Sequence, residues 1–466
     1  MILNQATNIM LGNQEVQRVY LGKTLVWERK KNTINFIVIK LDSEYQETDN
    51  VQYCEEFFQV KNILDNDKQN MYKVIITENS EITEIPEYAF DWCRNLIQIT
   101  IPNSIESIGK RAFNECTNLA NIMIPDNVNR IGEGAFSGCR TIASITIPDG
   151  VTSISDAVFF SCTSLTNIVI PNTVTNIGNQ AFQATGLIDI IIPNSVIDIG
   201  KQAFMNCESL IEVTIPSGVT SIMNWTFRYC SKLENITIPD SVTTIGDRVF
   251  DDCPNLVNIT LPTNVKSIGN YVFRNCTSLT NITIPDGVTS IQEGVFYGCT
   301  KLENITIPNS VTTIGVYAFY NCTSLTSVVI PSSVTSIRRQ AFENCENLSI
   351  INIPHGITSI LERTFYNCGL TNITLPNTLK TIDPYAFYSC RFSNITIPNS
   401  VTTIDIYAFY RCKNLNNITI PSSVVLIKTY AFGSCNNLIN ITINKPENSI
   451  SGSPWGATRA KIVWIE

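Results

Sequence analysis

The 466-residue sequence has few of the residues from which catalytic, metal and nucleic-acid sites are usually built. It contains a single histidine, His355, and charged residues make up only 15% of it. It has no Cys-x-x-Cys pair, no glycine-rich phosphate loop and no apolar run of 18 residues. These gaps argue against Ser-His-Asp or Cys-His catalysis, structural zinc and a membrane-spanning helix. We therefore expect a protein that is not an enzyme, has no metal or cofactor and is not inserted in a membrane.

A basic surface for nucleic acid is also missing. The formal net charge is -8, and residues 28–87 hold thirteen acidic and seven basic side chains, a net of -6. This leaves -2 for the rest of the chain, which is therefore close to neutral. Binding to phosphates needs a basic surface, so we expect no nucleic-acid partner.

The dominant feature that is present is an internal repeat. Phe90 is the first of sixteen phenylalanines that end at Phe432, with twelve spacings of 23 residues and three of 22. Around each lies the pattern V-T-x-I-G-x-x-A-F-x-x-C-x-x-L-x-x-I-x-I-P-x-S. A short period with fixed apolar positions indicates a solenoid, in which each repeat packs only on its neighbours.

One repeat illustrates the expected local structure. Ile236 and Ile238 alternate with Asn235 and Thr237, which predicts a strand with the isoleucines pointing inward. Pro239 has no amide hydrogen to donate and should end that strand.

The other half of the repeat is predicted to turn back into the core. Residues 242–245 form a second extended segment, and Gly246 opens a short helical or 3₁₀ turn that places Phe250 in the core. The three shorter repeats each lose one residue after the cysteine slot, which marks that place as a loop.

Fifteen of the sixteen cysteines occupy one slot of the repeat, from Cys93 to Cys435, and Thr185 fills it in the remaining repeat. Rungs in register lie about 4.8 Å apart. Stacked cysteines would hold parallel Cβ atoms at that distance, whereas a disulfide needs about 3.8 Å. We expect a buried, unpaired ladder, with partial oxidation or metal binding as the alternatives.

The regions outside the repeat predict three further segments. Residues 1–31 contain two alternating runs around Gly22, which predict a hairpin that serves for attachment. Residues 32–81 predict a small β-rich N-terminal cap with two strands around a polar, acidic middle. Residues 82–444 form the solenoid, and residues 445–466 break the pattern and predict a C-terminal cap.

The fragments L-x-x-I-x-I-P and I-G-x-x-A-F-x-x-C, repeated every 23 residues over about residues 81–444, closely resemble the BspA-like leucine-rich repeat family. This resemblance implies a mostly β, right-handed parallel leucine-rich-repeat solenoid of about sixteen rungs whose strands line one face. It also implies surface attachment and protein binding.

The two ends carry a second resemblance. GNQEVQRVYLGKTLVWE and GSPWGATRAKIVW are similar to terminal segments of structural proteins of tailed bacteriophages. The first residues also lack the pattern of a secretory signal. This resemblance implies a virion component, in the tail or in host recognition, that assembles in the host cytoplasm. The alternative is a surface or host-interacting adhesin of a cellular organism, located at the cell surface.

Two sets of side chains are candidate binding surfaces. The outward strand slots hold Asn and Thr, which either satisfy one another on a solvated sheet or form a neutral docking face. The members that we select are Asn235, Thr237, Asn258, Thr260, Asn281, Thr283, Asn304 and Thr306.

The second set is aromatic and concentrated in the later repeats. These rings either pack beside the phenylalanines or contact a protein or sugar. The members that we select are Tyr317, Tyr320, Tyr385, Tyr388, Tyr407 and Tyr410. We expect residues 1–81 to dock to the assembly and the later rungs to contact the target, which is another virion protein or a host surface protein or glycan.

Overall fold

The structure, a computed structural model, describes residues 18–21, 24–28, 36–42, 47–54, 56–78 and 82–465. Internal contacts divide the chain into two units, Met1–Leu187 and Ile188–Glu466. Each unit is built from short strands that pair in parallel from repeat to repeat, which confirms the predicted mostly β solenoid class. In the described ranges, no helix has the length and apolar character needed to cross a bilayer.

The first unit begins with a hairpin. Strand β1 (Arg18–Leu21) pairs antiparallel with β2 (Thr24–Glu28), at the place where the sequence predicts a hairpin around Gly22. Residues 1–17, 22–23 and 29–35 lie outside the described residues, so part of the predicted attachment segment does too.

A small α+β cap follows. It consists of β3 (Phe36–Leu41), β4 (Glu47–Cys54), helix α1 (Phe57–Asn66) and β5 (Met71–Ile76). Strand β3 lies between β4 and β5 and is antiparallel to both. On its other edge β5 pairs in parallel with the solenoid strand Leu96–Thr100, so the cap continues the sheet of the repeats.

Helix α1 falls in the segment that sequence analysis treats as a polar, acidic middle. Its apolar residues Phe57, Val60 and Leu64 recur at helical spacing, a signal that the surrounding charges obscure. Val60 and Leu64 are buried. The Phe57 ring packs edge-on against Phe36 and Phe90, with centroids 4.6 and 5.7 Å apart. The helix therefore covers the first rung.

Each repeat contributes up to two short strands. The first kind, which we call the face strand, carries the Asn-Ile-Thr pattern. In the first unit the face strands are Leu96–Thr100, Asn121–Ile122, Ser144–Thr146 and Asn167–Val169. In the second unit they are Glu212–Thr214, Asn235–Thr237, Asn258–Ile259, Asn281–Thr283, Asn304–Thr306, Ser327–Val328, Ile350–Asn352, Asn372–Thr374, Asn394–Thr396, Asn417–Ile420, Asn440–Ile443 and Lys461–Trp464.

The second kind, which we call the side strand, is two residues long and ends in an inward isoleucine. In the first unit the side strands are Glu84–Ile85, Ser107–Ile108, Arg130–Ile131, Ser153–Ile154 and Asn176–Ile177. In the second unit they are Asp198–Ile199, Ser221–Ile222, Thr244–Ile245, Ser267–Ile268, Ser290–Ile291, Thr313–Ile314, Ser336–Ile337, Ser359–Ile360, Thr381–Ile382, Thr403–Ile404 and Leu426–Ile427.

The segment around each phenylalanine is a pair of turns: the amides of Arg228 and Cys230 donate three residues back, to Trp225 and Phe227, at 3.2 Å each, but the turns do not join into the short helix that the sequence predicts. Trp225 and Tyr229 flank Phe227 with φ of 60° and 62°, in the left-handed region that interrupts a right-handed helical turn. The amides of these three residues donate to carbonyls of the next rung at 2.9 to 3.1 Å. The turn thus forms a third ladder between rungs.

The core is a stack of phenylalanine rings, as the repeat predicts. Neighbouring rings are nearly parallel. Their centroids are 5.2 to 5.8 Å apart in the run from Phe90 to Phe182, and 5.1 to 5.9 Å apart in the run from Phe204 to Phe432. Each of these rings is fully buried. Inward Leu, Ile and Val columns fill the rest of the rung, so each apolar residue packs on its own counterpart.

Residues 445–465, in the segment predicted as a C-terminal cap, form a further turn of the same design. Trp455 takes the phenylalanine slot, is 2% exposed, and its carbonyl accepts the amide of Phe432 at 3.1 Å. The strand Lys461–Trp464 then pairs in parallel with Asn440–Ile443. The large indole ring closes the stack where a phenylalanine is missing.

Candidate functional site

The selected Asn and Thr side chains lie on the exposed side of consecutive face strands in the second unit. Parallel pairing places Asn235 opposite Asn258, and Asn281 and Thr283 opposite Asn304 and Thr306. All eight selected side chains are exposed, while the isoleucines between them point inward. Together they form two uncharged columns of amides and hydroxyls, which we call the Asn/Thr face.

The amides of this surface can also pair with one another. Farther along the chain, Asn440 Nδ2 donates to Asn417 Oδ1 at 2.9 Å, whereas Asn281 Nδ2 donates to its own neighbour Thr280 at 3.2 Å. The side chains therefore do not form one uniform ladder of hydrogen bonds. An amide group on this face can bond either to a neighbouring side chain or to a bound partner.

The selected tyrosines lie in the turn segments of the later rungs and form two columns, which we call the tyrosine surface. One column stands two residues before the core phenylalanine, and the other stands one residue after it. The first column contains Tyr317, Tyr385, Tyr407 and Tyr430. The second contains Tyr297, Tyr320, Tyr366, Tyr388 and Tyr410.

Rings stack within a column and meet edge-on between columns. Tyr385 stacks on Tyr407 with centroids 5.0 Å apart, and Tyr388 stacks on Tyr410 at 5.4 Å. Tyr407 then meets Tyr410 edge-on at 5.1 Å. The structure thus brings four of the selected tyrosines into one cluster, and places the other two, Tyr317 and Tyr320, in a second cluster with Tyr297.

The tyrosines are neither core residues nor fully exposed. The six selected rings are partly exposed, and Tyr430 at the end of its column is 48% exposed. Burial raises the pKa of Tyr320 and Tyr366. These hydroxyls therefore stay neutral at physiological pH and can donate or accept a hydrogen bond.

A buried carboxyl group separates the two tyrosine clusters. Glu343 is 4% exposed and accepts a hydrogen bond from Gln340 at 2.9 Å. The guanidinium of Arg363 lies 3.8 Å from Glu343 and also above the rings of Tyr366 and Tyr385. Burial raises the pKa of Glu343, against the effects of Gln340 and Arg363. Arg363 thus contacts both the carboxyl group of Glu343 and the two tyrosine columns.

The sequence analysis did not identify a second buried charge, Asp251. Asp251 has no exposed side-chain surface and lies 3.0, 3.3 and 2.5 Å from nitrogens of Arg228, Arg248 and Arg274. The slot after the phenylalanine holds Arg228, Asp251 and Arg274 in three successive repeats. This alternation of positive and negative side chains at one slot is the sequence pattern that indicates the cluster. The cluster joins side chains of three successive rungs.

The cysteine slot contains no exposed thiol. Fifteen cysteines, from Cys93 to Cys435, are buried and form no disulfide. Burial raises the pKa of Cys93 and of Cys162 to about 12, so their reactive thiolate forms are suppressed. Among the described residues there is no cluster of three or more His, Cys, Asp or Glu that could hold a metal ion.

Comparison with known proteins agrees with this architecture. The family model described as "BspA type Leucine rich repeat region (6 copies)" matches residues 83–211, 198–326, 266–391 and 358–458. No curated protein matches the chain.

Solved structures of bacterial repeat proteins are similar to it. A leucine-rich repeat protein from Bacteroides ovatus is 29% identical, with 86% of this chain and 97% of that chain covered and a TM-score of 0.63. A leucine rich cell surface protein from Faecalibacterium prausnitzii is also 29% identical, over 84% of this chain and 94% of that one, with a TM-score of 0.42.

Proposed function

The chain belongs to the BspA-type leucine-rich repeat family, and we propose that it is a non-enzymatic binding protein of a cell surface that contacts a partner protein or glycan. Repeat proteins of this class serve as binding scaffolds, and no enzyme family is indicated. The near neutrality of the repeats weakens long-range attraction, so affinity has to come from shape, hydrogen bonds and aromatic contacts.

The observation that carries the proposal is the tyrosine surface. Its first column occupies a slot where the turn imposes a left-handed backbone, with φ of 56° to 58° at Tyr317, Tyr385, Tyr407 and Tyr430. Another repeat has glycine, Gly294, at this slot. A residue with a bulky side chain in the left-handed region costs about 1–2 kcal/mol of conformational free energy relative to glycine. The turn does not need tyrosine, and the core does not use it, which supports a role in recognition.

Tyrosine is also chemically suited to that role. Its ring gives a large apolar contact area with few rotatable bonds, and its hydroxyl adds a hydrogen bond. The Asn/Thr face is the alternative recognition surface, since its eight selected side chains are all exposed.

The test exchanges each surface for residues that the chain itself uses at the same slots. Gln180, Gln202 and Gln340 occupy the first tyrosine column elsewhere, and Gln183 occupies the second. The tyrosine variant therefore carries Tyr317→Gln, Tyr320→Gln, Tyr385→Gln, Tyr388→Gln, Tyr407→Gln and Tyr410→Gln.

The matched control changes the Asn/Thr face in the same way. Ser327 replaces Asn at its slot in one repeat, and Val329 replaces Thr at its slot. The control variant carries Ser at Asn235, Asn258, Asn281 and Asn304, and Val at Thr237, Thr260, Thr283 and Thr306.

Both variants and the unchanged protein are applied to a glycan microarray and to an array of extracellular proteins. We expect the tyrosine variant to lose at least tenfold in affinity for the spots that the unchanged protein binds, and the control to keep them. If only the control variant lost affinity, the Asn/Thr face would be the recognition surface. Absence of any saturable binding by the unchanged protein would contradict the proposed function.

A component of a bacteriophage particle is the second candidate, and it rests on the resemblance of the two ends. The hairpin β1–β2 lies in that N-terminal segment. Flanking genes for tail or baseplate proteins, together with the chain in purified particles, would favour the virion. An isolated gene and surface labelling of intact cells would favour the adhesin.

A further inference from the structure

A pocket of about 350 Å³ lies in the first unit, where helix α1 meets the first rungs. Asp65, Lys68 and Met71 line it from the cap, and Trp92, Arg94 and Asn118 line it from the repeats. It is separate from the tyrosine surface and from the Asn/Thr face, which are both in the second unit.

The floor of the pocket is fixed by hydrogen bonds between the cap and the first rung. Asn95 is 5% exposed, and its Nδ2 donates to the carbonyl oxygens of Leu64 and Asp67, each at 2.8 Å. Asn118 Nδ2 donates to the carbonyl of Arg94 at 2.7 Å. The bonds of Asn95 join the cap to the first rung, and the bond of Asn118 joins the first two rungs, as expected for a site that is formed before its ligand arrives.

Trp92 is a residue that the fold itself does not require. Its side chain is 53% exposed and its φ is 65°, in the left-handed region where a bulky residue is disfavoured. Later repeats place small polar residues at this slot, and five of them are Asn206, Asn275, Asn321, Asn344 and Asn367. An exposed indole in a strained position, at the rim of a pocket, indicates a contact made with a ligand.

The groups around the indole limit the chemistry of that ligand. The Arg94 guanidinium lies over the Trp92 ring at 4.6 Å from its centroid and fixes the ring orientation. Asp65 supplies acceptors, while Lys68 and Arg94 supply donors. A purely apolar ligand would bury these charges without compensation, and an anion would lie close to the Asp65 carboxylate.

The ligand should therefore be uncharged and should carry polar groups for Asp65, Lys68 and Arg94. A neutral ring with an apolar C–H face and several hydroxyl groups has both properties. The C–H face can lie against the indole, and the hydroxyls can bond to the carboxylate and to the cationic groups. The volume is at the lower end of the roughly 300–1,000 Å³ range of small-molecule sites, which suits one pyranose ring with its glycosidic oxygen. We propose that this pocket binds a single neutral sugar unit of a glycan.

The test is a titration of the full chain, labelled with fluorotryptophan, with the methyl glycosides of glucose, galactose, mannose, fucose and N-acetylglucosamine. We expect at least one of them to shift the Trp92 resonance saturably, with a Kd on the order of 1 mM. Trp92→Asn should abolish the binding and keep the fold, because Asn occupies this slot in five other repeats. Asp65→Asn, at an exposed position, should weaken binding about tenfold.

Two controls separate this site from the rest of the protein. Tyr229→Asn removes an aromatic residue from the same slot in the second unit and should leave sugar binding unchanged. The six-tyrosine variant should also bind the sugar normally, so loss of the proposed surface function and loss of this site are distinguishable. The proposal is overturned if none of the five glycosides shifts Trp92, if Trp92→Asn binds them equally well, or if glucuronate binds more tightly than methyl glucoside.

Discussion

The thiol of Cys299 donates a hydrogen bond to the carbonyl oxygen of Phe273 in the preceding rung, with Sγ and O 3.1 Å apart. The same oxygen accepts the backbone N–H of Cys276 at 3.1 Å. Cys299 therefore fills a small apolar space and also satisfies the second lone pair of a buried carbonyl, and the same thiol–carbonyl bond recurs along the ladder, from Cys116 to Cys162 and from Cys230 to Cys435. Thr185, in the one repeat without cysteine, directs its hydroxyl to the carbonyl of Phe182 at 2.9 Å.

The first prediction concerns thiol reactivity. The fifteen ladder cysteines, from Cys93 to Cys435, are buried and form no disulfide, so a small alkylating reagent should modify very few of them in the native protein. After denaturation nearly all should react, which mass spectrometry of the labelled peptides will measure. Low labelling in both states would mean disulfides and would contradict the free ladder.

The second prediction concerns alkaline pH. Burial raises the pKa of Cys162 from 9.0 to about 12. The unfolded chain releases this proton near its ordinary pKa, while the folded chain retains it. The stability that the buried thiol contributes is therefore complete below about pH 9 and is lost progressively towards pH 12. The melting temperature should fall over this range while thiolate absorbance stays low until unfolding; thiolate absorbance that rises ahead of unfolding would contradict the burial.

The third prediction concerns the phenylalanine stack. Phe250 lies between Phe227 and Phe273, with ring centroids 5.9 and 5.6 Å away, and is fully buried. Phe250→Ala should lower the free energy of unfolding by about 3–5 kcal/mol, because it removes these contacts and leaves a cavity. Chemical denaturation measures this value. The exposed substitution Thr244→Ser should change it by less than about 0.5 kcal/mol, and an equal effect of both would argue against a packed stack.

The fourth prediction concerns the N-terminal cap. Removal of residues 1–35 leaves β3, β4, α1 and β5 in place, whereas removal of residues 1–81 takes them away. The second truncation exposes the edge of Leu96–Thr100 and the ring of Phe90, so we expect a lower melting temperature and association of chains. Thermal unfolding and size-exclusion chromatography measure both effects. If the two truncations behave alike, the cap does not protect the first rung.

This arrangement also changes how the predicted attachment function has to be tested. Residues 1–81 were predicted to dock to an assembly as one segment. However, Phe57 contacts Phe90 and β5 pairs with the solenoid strand Leu96–Thr100, so the later part of the segment belongs to the folded unit. A deletion that ends before residue 36 separates attachment from folding.

Some errors of the sequence analysis have a common physical origin. A short helical or 3₁₀ turn was predicted before each phenylalanine, but around Phe227 every second amide bonds to the next rung and only the amides between them bond within the segment. The pairing of Asp251 with Arg274 was not predicted, because a spacing of 23 residues does not indicate a contact until the rungs are known to stack. In both cases the partner is one full repeat away.

The sequence by itself determined the repeat length, the inward Phe and Ile columns, the outward Asn and Thr slots, and the family. It could do so because every rung packs on a near copy of itself, so the pattern of one repeat specifies the contacts of all. Only the tertiary structure decided that α1 covers the first rung and that Trp92 borders a pocket with Asp65. These contacts join segments that do not repeat, and their geometry depends on packing between unlike elements, which no periodic pattern encodes.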